Sequence, residues 1–139
     1  MPFQLNPQLA KDCIDMGRFD LCRLLLMNDS QYPWFILVPE VADVREIYQL
    51  SKRQRGQLQE ESCYLAEQLA QLFSADKMNI AAIGNLVPQL HIHHVVRYRT
   101  DKAWPAPIWG KFSVIPYSDE QRDERLNRVK AQLGRNLKA

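Results

Sequence analysis

The chain has 139 residues, 46% apolar and 24% charged, with a net charge of +2 at pH 7. A domain of this size buries roughly two-thirds of its unfolded surface, so it folds without a disulfide or metal staple. Basic residues are spread among acids, which leaves no electrostatic footprint for nucleic acid. The opening stretch lacks the basic and apolar regions of a signal peptide, and no apolar run nears the ~18 residues that span a bilayer. Cys13, Cys22 and Cys63 are odd in number, widely spaced and free of a CxxC pattern, as expected of free thiols in a reducing compartment. The expectation is one cytoplasmic domain over residues 1–139, without membrane or nucleic-acid partners.

In chain order, Pro7 at a first turn and Gly17 as a stop predict a short helix over residues 7–18. The apolar centre Leu24–Met27 of residues 20–29 predicts a strand buried on both faces. A second strand, over 34–40, ends near Pro39, and the short polar turn between the two favours an antiparallel hairpin. Asp43 with Glu46, and Ser51 with Gln54, have capping spacing, predicting helices over 43–49 and 51–74. Leu58, Leu65, Leu69 and Leu72 put an apolar stripe on the longer one. Strands are predicted over 77–83 and 87–98, separated by the turn Gly84-Asn85. Residues 99–116 form an irregular segment with Trp104, Trp109 and three prolines. Ser118 and Gln121 open a polar helix over 118–133, with Gly134 past its end. Runs of strands and helices of this kind make an α+β fold with an antiparallel sheet.

All three histidines fall in one run, His91, His93 and His94. On a strand, Gln89, His91, His93, Val95 and Arg97 share one face, and Leu90, Ile92, His94, Val96 and Tyr98 share the other. Leu90 and Ile92 belong against a core, so His91 and His93 line the more open face and His94 is a structural histidine. Two imidazoles on one face suit two chemistries. They are two of the ligands a metal needs, with a third unidentified. Alternatively, one is a nucleophile that attacks phosphorus while the other donates to the phosphoryl oxygens. Arg97 is either a phosphate contact or an exposed residue at a strand end, and Trp104 and Trp109 either stack on a base or pack.

The stretch VPQLHIHHVVR resembles the signature of the histidine triad (HIT) family, in which histidines alternate with apolar residues. Upstream, Asn79 and Gly84-Asn85 hold the places of the family's Asn and of its Gly-Gln-Ser-like turn; WFILVPE is similar to its apolar strand ending in Pro. The likeness covers roughly residues 18–110 and implies a HIT-like fold, an antiparallel sheet of about five strands with a long helix packed on one face. It further implies a hydrolase or nucleotidyl transferase acting on dinucleoside polyphosphate or nucleoside phosphoramidate substrates, with an adenine nucleotide as substrate, no cofactor, and a homodimer with residues 104–110 near the partner. In that scheme His91 is the nucleophile that forms a nucleotidyl-imidazole, and His93 bonds the phosphate. Gly84 and Asn85 cradle phosphate oxygens, Asn79 holds the turn or substrate, and Asn28, Asp29 and Trp34 are further nucleotide-binding candidates.

Three positions depart from the family pattern. The first triad position is Gln89, whose amide hydrogen-bonds but is neither acid nor base near pH 7. Trp34 stands where many members have a histidine, and Leu86 replaces the turn's Ser. These substitutions leave open a nucleotide-binding module or regulator with weak or lost catalysis.

Overall fold

Five segments pair into one antiparallel sheet in the computed structural model, which describes residues 2–139. The elements are α1 (Pro7–Asp12), β1 (Cys13–Arg18), β2 (Cys22–Met27), β3 (Trp34–Pro39), α2 (Lys52–Phe73), β4 (Lys77–Ala81), β5 (Ile92–Arg97) and α3 (Asp119–Leu133). The strand order is β1-β2-β3-β5-β4. One apolar cluster lies between the sheet and α2 and α3, and takes Leu58, Leu65, Leu69 and Phe73 from α2 with Leu24, Phe35 and Val96 from the sheet. A second, on the opposite face, joins Leu9, Trp34, Ile36, Val95 and Ile108. With both faces covered, β3 and the Leu24–Met27 part of β2 read as unbroken apolar runs.

Local chemistry sets the helix ends as expected. At α2 the Ser51 hydroxyl accepts from the Gln54 amide, and the Gln54 side chain accepts from the Ser51 amide. Ser118 and Gln121 repeat that reciprocal pair at α3, so each box satisfies two donors that the first turn leaves free.

Three boundaries differ from expectation. The helix predicted over 7–18 stops at Asp12, and the remainder is an edge strand, because Cys13 to Arg18 pair with β2. Gly17 is no helix stop. Its φ of 114° and the Lys138 carbonyl, 2.2 Å from where a Cβ would sit, show a close backbone approach. There Arg18 and Lys138 exchange two main-chain hydrogen bonds of 2.8 Å. The helix predicted over 43–49 shrinks to a 3₁₀ turn at Ile47–Gln49 capped by Glu46, because Asp43 lies in the left-handed region at φ 60°. The last strand starts at Ile92 instead of residue 87: Pro88 has no N–H to donate, and Leu90 donates to the Val44 carbonyl, outside the sheet.

Arg97, at the end of β5, is only 1% exposed. It is neither a phosphate contact nor an exposed strand end. Its guanidinium grips Asp101 through Nε at 2.8 Å and Nη2 at 3.1 Å, and also donates to Asn79 Oδ1 and the Ala106 carbonyl. Trp104 lies under the same cation, 5.4 Å from its ring centroid. Burial opposes ionisation of Asp101, but hydrogen bonds from Arg97 and the Tyr98 amide outweigh it and hold the carboxyl below its ordinary value. No helix among the described residues is long and apolar enough to cross a membrane.

Removing one partner of a buried pair leaves the other charge uncompensated. The variant Asp101→Ala is therefore expected to lose about 3 kcal/mol of stability in urea denaturation; a midpoint equal to that of the unmodified chain would contradict the role given to this pair.

Candidate active site

His93 projects from β5 between Ile36 of β3 and Ala81 of β4. His91 stands just before the strand, and the two ring centroids are 4.9 Å apart. Each ring has one nitrogen fixed by a neighbour. His91 Nδ1 lies 2.7 Å from the Gln89 carbonyl, which only accepts, so Nδ1 carries the proton and Nε2 presents a lone pair. The Trp34 indole N–H, which only donates, meets His93 Nδ1 at 3.0 Å, so His93 carries its proton on Nε2. The adjacent imidazoles thus offer an acceptor and a donor.

Burial, assisted by the neighbouring His91 and His94 rings, pushes the His93 pKa down to about 3. Burial likewise lowers His94 to about 4 against the opposing hydrogen bond to Ile92. His94 faces the other cluster as expected; its Nδ1 donates to the Ile92 carbonyl at 3.0 Å and its Nε2 accepts from the Ser62 hydroxyl at 2.7 Å.

An open cleft of about 380 Å³ lies over His91 and His93, between the Ile83–Val87 loop and Trp109–Gly110. Gly84 makes the loop's turn at φ 68°, and among the described residues no Lys, Arg, Asp or Glu lines the cleft. Trp109 packs edge-on against both His93 and Trp34. Its buried indole N–H has no hydrogen-bond partner among the described residues.

The structure gathers His91, His93, Gly84 and Asn85 around this cleft. It does not bring the other candidates to it. The Gln89 amide side chain faces the N-terminal segment, accepting from the Asn6 amide and donating to the Gln4 carbonyl, both at 2.8 Å; only its main chain serves His91. Asn79 is held by Arg97 at 2.7 Å. Asn28 accepts from the Tyr117 amide, 89 residues on, and Asp29 from the Gln31 amide, so both fasten main chain. Trp34 sits behind His93, buried. Ile83 and Val87, which wall the cleft, carry no chemical signal in the sequence. A separate hollow of about 290 Å³, between α2 and the C-terminal residues, contains no histidine. Among the described residues no group of three His, Cys, Asp or Glu side chains is placed to hold a metal ion.

Residues 9–100 match the profile of the HIT domain. Three solved structures share the fold over nearly the whole length. A histidine triad protein from Marinobacter aquaeolei VT8 is 50% identical, with 99% of this chain and 97% of that one covered and a TM-score of 0.91. A histidine triad (HIT) protein from Sinorhizobium meliloti 1021 is 37% identical, with 94% and 97% covered and a TM-score of 0.92. A histidine triad protein from Bradyrhizobium japonicum is 35% identical, with 96% and 100% covered and a TM-score of 0.93. A search of curated protein sequences gives no match.

The buried rings make a pH prediction. Unfolded, His93 and His94 titrate near 6.5; folded, they stay neutral down to about 3 and about 4. Below pH 6.5 the unfolded chain therefore binds protons that the native state refuses, and stability falls. Each ring contributes a slope approaching ~1.4 kcal/mol per pH unit inside its window. Urea midpoints are expected to be highest above pH 7 and to drop steadily from pH 6.5 to 5; a flat profile over that range would contradict neutral burial.

Proposed function

The chain belongs to the HIT domain family, and from that premise we propose that it is a nucleotide hydrolase or nucleotidyl transferase acting at an α-phosphate. The observation that carries this reading is the pair of imidazoles 4.9 Å apart with opposite proton placement, at the floor of a cleft free of charged side chains.

The His91 Nε2 lone pair attacks phosphorus. A P–N bond forms, and the bond to the leaving group breaks; the leaving group takes the bonding pair and a proton from solvent at the open mouth. His91 then carries positive charge, which the Gln89 carbonyl stabilises through Nδ1–H. His93 Nε2–H donates to a non-bridging oxygen as charge gathers there, together with main-chain N–H groups of the Gly84-Asn85 turn. Water then attacks phosphorus and gives up a proton to solvent, the P–N bond breaks with its pair returning to Nε2, the nucleotide leaves and His91 regains its neutral form. Dinucleoside polyphosphates and nucleoside phosphoramidates of adenine are the substrates this chemistry suits. Gln89 contributes its main-chain carbonyl. No further titratable side chain lines the cleft to protonate a leaving group, and that observation favours slow turnover, or nucleotide binding with catalysis largely lost.

We further propose a homodimer formed along β4, the strand at the free border of the sheet, where Ile80 is half exposed.

The variant His91→Ala is expected to lower hydrolysis of diadenosine polyphosphate and adenosine phosphoramidate by ~10³-fold or more and to abolish the covalent adduct in intact-protein mass spectrometry. Unimpaired hydrolysis by that variant would overturn the nucleophile assignment. AMP binding by calorimetry without turnover of either substrate would support the binding reading instead. Light scattering at micromolar concentration is expected to give twice the 16.2 kDa chain mass; the mass of a single chain would refute the dimer.

A further inference from the structure

His91 and His94 obey one local habit. Each turns its Nδ1–H onto the carbonyl two residues back, Gln89 for His91 and Ile92 for His94, so each leaves Nε2 unprotonated. Had His93 done the same, both cleft imidazoles would present lone pairs to an anionic phosphoryl group, and neither would donate to it. Trp34 reverses the habit at His93 alone. Its indole N–H reaches His93 Nδ1 at 3.0 Å, and an indole nitrogen cannot accept, so the ring proton has to lie on Nε2.

We propose that Trp34 is a positioning residue: through this hydrogen bond it holds His93 as an Nε2–H donor toward the phosphate that His91 attacks. The role rests on the reading of His91 as the nucleophile. Trp34 is well suited to it because it is itself immobile. Its backbone pairs with Val95 of β5, and its side chain is buried. Trp109 closes the arrangement, its ring 6.3 Å from Trp34 and 5.4 Å from His93. Inside these rings His93 Nδ1 has no other donor among the described residues. At metal-bound histidines, loss of the side chain that fixes the tautomer typically costs 10–100-fold, and a change of that order is expected at His93.

The test combines two readouts on the full chain. Long-range proton–nitrogen spectra of histidine-labelled protein are expected to show His93 protonated on Nε2 and bare on Nδ1. In Trp34→Phe, which keeps an aromatic ring and deletes the N–H, His93 is expected to shift to Nδ1–H or a mixture. With adenosine phosphoramidate, kcat is expected to fall about 10–100-fold while KM changes little. In Trp34→His the Nε2 stands at the same ring position as the indole nitrogen, and the donor tautomer and most of kcat are expected to return.

Wild-type His93 protonated on Nδ1 overturns the proposal, and so does Trp34→Phe with tautomer and kcat both unchanged. A fall in kcat with the His93 tautomer preserved, which would mark a packing role, overturns it too. The wild-type spectrum needs neither a variant nor turnover. An inactive wild-type chain with the donor tautomer sinks the catalytic reading while leaving the proton placement standing; an active chain with Nδ1–H does the reverse.

Discussion

A guanidinium sealed inside the protein sets the terms for the rest of the structure. Desolvating Arg97 is tolerable only if nearly all its donors find partners, and the chain meets that demand by bending the segment after β5 back onto it. Asp101 takes two of the donors and the Ala106 carbonyl a third. Asp101 in turn accepts the amides of Ala103 and Trp104. The irregular stretch from 99 onward is thus wound around one charge. Its far end delivers Trp109 to the side of His93. Proper placement of one wall of the cleft is therefore a consequence of satisfying a cation that does not itself line it.

The second theme is dryness. An imidazole keeps one bare and one protonated nitrogen only when neutral, and burial opposes its charged form. Trp34, Trp109 and the sheet beneath keep His93 out of water, and His93 is accordingly held far below its ordinary pKa. The same apolar surroundings strengthen each hydrogen bond that remains. A cleft without charged side chains thus has its polarity concentrated in a few oriented groups: two imidazoles and the peptide turn at Gly84-Asn85. Such groups need little reorganisation when negative charge develops.

Much of this was legible in the residue order. Reciprocal caps at Ser51 and Ser118 are local chemistry, and both helices start where those residues say. Alternation from Leu90 onward assigned the faces of the histidine segment correctly, with Val96 in one cluster and Val95 in the other. What escaped was non-local. Residues 13–18 look helical on their own and become a strand through pairing with β2. The side chain of Gln89 reads as a site group, yet it ties down the N-terminal segment from 83 residues away. Trp34 and His93 are 59 residues apart, so their hydrogen bond leaves no pattern in the sequence. Asn79, Asn28 and Asp29 have the right chemistry for a ligand but are engaged by Arg97 and by main-chain amides.

The two borders of the sheet are not equivalent. At β1 the tail folds back and Lys138 bonds Arg18 on both sides, an approach that only the missing side chain of Gly17 permits. At β4 no further strand pairs among the described residues. Strand addition is therefore obstructed at the Arg18 end of the β1 flank by the tail. Two copies joined through the β4 flank would carry at either extremity a β1 border already occupied at Arg18 by the tail, so a further strand could not pair along the full length of that border.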